Sequence, residues 1–227
     1  MLSSSSWAGR PHLPGSRVIS ALELVAGAAV VIGHNVFRVV PNEVPILVVL
    51  GVASLRLRSG GWAALGFRRP RSWTRLVSIA ATAALLRIVL GDYVIEPLAA
   101  RFWRAPVAPE GVSELAGHPL YALVALLVVW TFAAFGEELA YRGYLLKRAA
   151  DVGGGSTRSY WIAAVVVAVL FGYGHFYKGP AGIVDSGVAG LILAAAYLVA
   201  GRNLWASVLA HGFIDTVGVI AAYLGRT

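Results

Sequence analysis

Apolar runs in which charged residues are sparse recur along this chain, and that pattern constrains its fold more than any motif does. They extend from Val18 to about Ile32, Val44 to Leu55, Leu76 to Val94, Pro119 to Phe135, Tyr160 to His175, Ile183 to Ala200 and Leu204 to Leu224. A stretch of about 20 such residues spans a bilayer as a helix, where each backbone N–H and C=O finds its partner inside the segment. Val44 to Leu55 is short by that measure and reads as a span that recruits flanking residues or as a re-entrant segment. With 58% hydrophobic and 13% charged residues, the 227-residue chain cannot cover a soluble surface. The expected fold class is all-α, a polytopic membrane helical bundle of about seven transmembrane helices.

A formal net charge of +8 would in a soluble protein point to nucleic acid. Here the bases lie between apolar runs, where they set topology, so nucleic acid is excluded as a partner and membrane lipids are expected. Arg56 to Arg75 holds Arg56, Arg58, Arg68, Arg69, Arg71 and Arg75, broken by Gly60-Gly61 and Pro70. It reads as a cytoplasmic loop able to attract anionic lipid. Lys147 and Arg148 end the fourth span on the same side, before the Gly153-Gly154-Gly155-Ser156 loop. Gly91 to His118, with more acid than base and with Pro97, Pro106 and Pro109, reads as a non-cytoplasmic loop. The N-terminus is then cytoplasmic and the C-terminus outside. Abundant Ala, Gly and Arg point to a GC-rich bacterium, hence to its cytoplasmic (inner) membrane. Met1 to Arg17 superficially resembles the start of a signal peptide, but its long polar region and the lack of an A-x-A site favour an uncleaved first helix. No cysteine is present, which excludes disulfides, a lipoprotein anchor, thiolate metal sites and a Cys nucleophile. Oligomeric state leaves no mark in the sequence.

The run from Pro119 leads into Phe135-Gly136-Glu137-Glu138-Leu139-Ala140-Tyr141-Arg142-Gly143. An ionisable residue in a spanning helix is costly and marks a functional site or a buried ion pair. Glu138 and Arg142 are four apart, with the acid N-terminal to the base, and satisfy each other on one helix face. Glu137 points about 100° away and has no base three or four positions on. It is the carboxylate left free for chemistry.

Two further polar groupings lie in later runs, Phe171 with His175 and His211 with Asp215. Asp215, four residues after His211, can fix the imidazole tautomer. At ~1.5 Å per residue, Glu137 lies about 15 Å, His211 about 12 Å and His175 about 22 Å from the basic end. Gly172 and Gly174 can kink or end the fifth span and bring His175 to the others. Any one of these residues alone reads equally well as structural glue between helices. Glu23, His34, Asn35 and Arg87 read as structural, Arg87 pairing with Glu23 or with an acid near Asp92.

Read together, Glu137-Glu138-x-x-x-Arg142, Phe171-x-x-x-His175 and His211-x-x-x-Asp215 resemble the CPBP family, the CAAX-processing and bacteriocin-processing (Abi) intramembrane proteases. The resemblance covers roughly Trp62 to Leu224. It divides one membrane domain into N-terminal transmembrane segments over residues 1–60 and a protease-like core over residues 61–227, with catalysis in the last four helices. It implies an intramembrane endopeptidase, open to the cytoplasm, that acts on peptide or membrane-protein substrates, lipidated ones included. Glu137 is then the general base that activates water, and His175 helps position or deprotonate that water. His211 with position 215 stabilises the oxyanion, while Glu138, Arg142 and Phe171 support them.

Many members carry Asn at position 215, which can donate to an oxyanion; an ionised Asp215 cannot. Asp215 is therefore either protonated or serves to orient His211. Glu137, His175 and His211 are also acceptable ligands for a catalytic zinc. No H-E-x-x-H is present, which favours the metal-free glutamate mechanism without a cofactor. A function of another class, a catalytically silent membrane scaffold or chaperone, would keep the same residues for helix packing. A proton or solute carrier fits less well, because no paired broken spans are seen.

Overall fold

The computed structural model describes residues 14–58, 61–103 and 111–226. Most of the polar N-terminal segment, Gly60, Pro106 and Pro109 lie outside them. Seven main helices form: α1 (Pro14–Asn35), α2 (Glu43–Leu57), α3 (Trp73–Ala99), α4 (Pro119–Val152), α5 (Thr157–Tyr173), α6 (Gly179–Val199) and α7 (Leu204–Tyr223). Among the described residues there is no strand. Five segments are long and apolar enough to cross a membrane: Arg17–Asn35, Trp73–Ala99, Pro119–Val152, Phe176–Val199 and Leu204–Tyr223. With 15 residues, α2 falls short of a full span, and α5 has 17. The chain is a polytopic helical bundle.

Local chemistry sets where the helices begin. Ser72 Oγ accepts from the Arg75 N–H, Ser156 Oγ from Ser159, Asn42 Oδ1 from Val44 and Asn203 Oδ1 from Trp205. Such caps contribute about 0.5–2 kcal/mol each. Asn203 Nδ2 also donates to the Arg68 carbonyl at 3.0 Å, tying the arginine-rich loop to the start of α7.

Ion pairs and ring contacts show how the ends line up. Glu23 of α1 meets Arg58 just after α2 at 3.1 Å and Arg148 near the end of α4 at 3.4 Å. Arg202, before α7, lies over the Tyr160 ring of α5. At the opposite end His34 pairs with Glu43 at 3.2 Å, and the Gly117 N–H donates to the Tyr223 carbonyl. Consecutive helices therefore alternate in direction.

The outward faces are apolar: Leu22 and Val25 of α1, Leu85 of α3, Leu120, Leu123 and Leu127 of α4, and Ile162 of α5 are exposed. Exposed apolar surface of this extent fits a lipid surround. Small residues fill many helix contacts, among them Ala80, Ala140, Ala164, Ala194, Ala206 and Ala210, all buried. The second half of α4 is the centre of the bundle, with Leu139 through Leu146 buried without a break. It packs against α1, α2, α5 and α7, while α3 closes the other side against α6 and α7. α5 and α6 approach closely through glycine. A Cβ on Gly172 would come 2.6 Å from the Ile183 carbonyl oxygen.

Candidate active site

α4 brings both carboxylates to the middle of the bundle, and its backbone is unusual there. Two π-helical stretches, Val129–Glu137 and Leu139–Leu145, flank Glu138. Such i→i+5 segments are rare and frequently found at functional sites. Glu138 is fully buried, as is Arg142 at its side. Glu138 Oε1 accepts from Arg142 Nη1 at 2.6 Å and from His211 Nδ1 at 2.9 Å. Arg142 Nη2 donates onward to the Gly190 carbonyl of α6 at 2.8 Å. One carboxylate oxygen thus links α4 to α7, and through the guanidinium to α6.

Glu137 has different surroundings. Its Oε2 is buried and has no hydrogen-bond partner among the described residues. His211, Asp215, Glu138 and Glu43 are the charged side chains that act on it electrostatically.

Phe171 gathers the other pieces. Its ring centroid is 4.9 Å from those of Tyr141 and His175 and 6.2 Å from that of His211, and the Arg142 guanidinium lies 4.6 Å over its face. α5 ends at Tyr173, so His175 stands in the turn beyond it, where its Nδ1 donates to the Phe171 carbonyl at 3.0 Å. A carbonyl can only accept, so Nδ1 carries a proton, and in the neutral imidazole Nε2 keeps its lone pair. On α7, His211 Nε2 is 3.5 Å from Asp215 Oδ2. Both imidazole nitrogens of His211 therefore face carboxylates, one from its own helix and one from α4. Next to it, the Trp130 ring occupies the space a side chain at Gly212 would need, and its Nε1 donates to Thr216 Oγ1 at 3.1 Å. That contact fixes α7 beside α4.

The i,i+4 pair expected of Glu138 and Arg142 forms, but Glu138 also holds His211, a contact between residues 73 apart that spacing on one helix does not reveal. Tyr141, fully buried against Phe171, likewise carries no signal in the sequence that sets it apart. Arg87 is a correction: it pairs with Asp185 of α6 at 2.5 Å, not with Glu23 or an acid near Asp92. Glu23 lies near the basic end of α1 and is taken by Arg58 and Arg148, whereas Arg87 lies near the other end of α3. Asp185 is legible in principle, since it is an acid inside an apolar run. Among the described residues no group of three or more His, Asp or Glu side chains is placed to hold a metal ion.

Residues 119–217, from the start of α4 into α7, match a family model described as Rce1-like, type II CAAX prenyl endopeptidase Rce1-like. The match is to the CPBP/CAAX protease family. It takes in Glu137, Glu138, Arg142, Phe171, His175, His211 and Asp215, and leaves α1 to α3, Glu43 included, outside. No curated protein and no solved structure matches the chain. The matched region is the part of the bundle in which α4, α5 and α7 converge on Glu138 and Phe171.

Proposed function

We propose that this protein is an intramembrane endopeptidase that hydrolyses peptide bonds of membrane-associated or lipidated substrates with water activated by Glu137. The observation that carries the reading is the contrast between two adjacent carboxylates. Both have a buried Oε2 without a partner among the described residues, but Glu138 is held through Oε1 by Arg142 and His211, while Glu137 makes no hydrogen bond or ion pair there. The match over residues 119–217 supports the same class of activity. A carboxylate in a low-dielectric setting is an effective general base, worth typically 10²- to 10⁴-fold in rate.

In this mechanism Glu137 takes a proton from water as the water oxygen adds to the scissile carbonyl carbon. His175 Nε2, the nitrogen that keeps its lone pair, accepts a hydrogen bond from that water and positions it. His211 is held at Nδ1 by Glu138, and its Nε2–H, only loosely paired with Asp215 at 3.5 Å, turns to the oxyanion of the tetrahedral intermediate. When the C–N bond breaks, the proton held by Glu137 passes to the leaving amine, which restores the carboxylate. The products are a free carboxylic acid and a free amine, and no metal is needed.

The test compares protein termini by mass spectrometry in host membranes and medium, between wild type and Glu137→Gln at equal amounts of folded protein. Termini made only by the wild type are expected, with cleavage in E137Q down by at least about 10²-fold. Identical termini with a well-folded mutant would move the assignment to a membrane scaffold. Once a cleaved bond is known, a chelator such as 1,10-phenanthroline is expected to leave its rate unchanged; loss of rate restored by zinc would replace this mechanism with a metal-dependent one.

A further inference from the structure

At the basic end of the bundle lies a cavity of about 510 Å³ that the protease site does not use. It sits where α3 begins and α6 ends, and four arginines line it: Arg68, Arg69, Arg71 and Arg75. No acid is among its lining residues. Arg68 spends its Nε on the Ala63 carbonyl, whereas the side chains of Arg69, Arg71 and Arg75 are exposed and have no hydrogen bond or ion pair among the described residues. The start of α3 adds its positive dipole end to the same space. Below the arginines the wall becomes apolar, with Leu76, Ile79 and Val199.

Charge bias between membrane faces accounts for arginines in a loop. It does not account for a cavity in which four of them surround one volume with an apolar floor. We propose that this cavity binds the phosphate of an anionic phospholipid headgroup, with the arginines around the phosphate and the acyl chains running down over Ile79 and Val199. The lipid is favoured over free phosphate because the cavity opens at the level of the helix ends, where lipid phosphates lie. Trp62 and Trp73, both exposed beside it, are residues that anchor at that level.

The full chain is purified in detergent and offered equal amounts of phosphatidylglycerol and phosphatidylcholine, and the ratio of bound lipids is read by native mass spectrometry. Wild type is expected to retain phosphatidylglycerol preferentially. The variant R69Q/R71Q/R75Q should lower the ratio by about fivefold for each arginine that reaches the phosphate. R69K/R71K/R75K should keep the preference, because the charge remains. A control, R56Q/R158Q, removes two exposed arginines of the same end outside the cavity and should leave the ratio unchanged. Equal loss in control and cavity variants, or no loss in either, would overturn the proposal. So would displacement of phosphatidylglycerol by millimolar inorganic phosphate, which would assign the cavity to a soluble anion. The melting transition of each variant is measured first, and if the triple variant does not fold, R69Q and R71Q are read singly.

Discussion

At the scale of single residues, Glu138 Oε1 serves two donors, Arg142 Nη1 and His211 Nδ1. Removing one member of a buried ion pair leaves the other charged and alone, at a cost of about 3–5 kcal/mol. Arg142→Met should therefore lower stability by that amount, read as the unfolding midpoint in detergent. Double replacement E138Q/R142M should recover part of it, because no lone charge is left behind. Glu137→Gln should hardly move the midpoint, since Glu137 Oε2 makes no bond within the described protein. The neighbouring carboxylates thus separate by assay, one by activity and one by stability. The Glu138–Arg142 contact is legible in the sequence because both residues sit on one helix at a spacing of four. Its third member is not, because His211 reaches Glu138 from another helix and spacing carries no information on which helices touch. Arg87 fails for the same reason: its partner, Asp185, lies on a helix 98 residues away in sequence.

At the scale of elements, hydropathy in the sequence marks the helix interiors, although α4 runs on from Phe135 to Val152, and the caps at Ser72, Ser156 and Asn203 are seen in the structure. The π-helical stretches around Glu138 left no such trace. Close contacts flank them, with Gly51 of α2 against Tyr144 and Val44 close to Gly136. α5 ends near its glycines as the run Leu170-Phe171-Gly172-Tyr173-Gly174-His175 allowed, and that end places His175. Gly172 has a second duty, the close approach of α5 to α6. Gly172→Ala would drive a methyl group against the Ile183 carbonyl and the backbone of Gly187. Overpacking of this kind costs about 1–3 kcal/mol. The expected result is a lower melting midpoint with loss of cleavage, since the shift is passed on through Phe171; unchanged stability would show that the two helices have room to part.

At the scale of the whole molecule, alternating helices place Arg58, Arg68, Arg148 and Arg202 at one end and His34, Glu43, Gly117 and Tyr223 at the other. From charge bias the arginine-rich end is expected to face the cytoplasm. Because the chain has no cysteine, single introduced thiols report sidedness without background. Ser113 and Thr157 are exposed at opposite ends. In intact cells a membrane-impermeant maleimide should label S113C and spare T157C until the membrane is opened; the reverse pattern would invert the topology. Sidedness is an expectation drawn from loop charges alone, whereas the convergence of α4, α5 and α7 was not legible in the sequence, being a property of packing. That convergence bears on how such a protein can change over generations. In the proposed mechanism one oxygen atom of Glu138 both orients His211 and holds Arg142, so variation there would be visible to selection twice, and altered substrate choice would have to arise among residues outside that junction, where a change can be sampled without first unmaking the bundle.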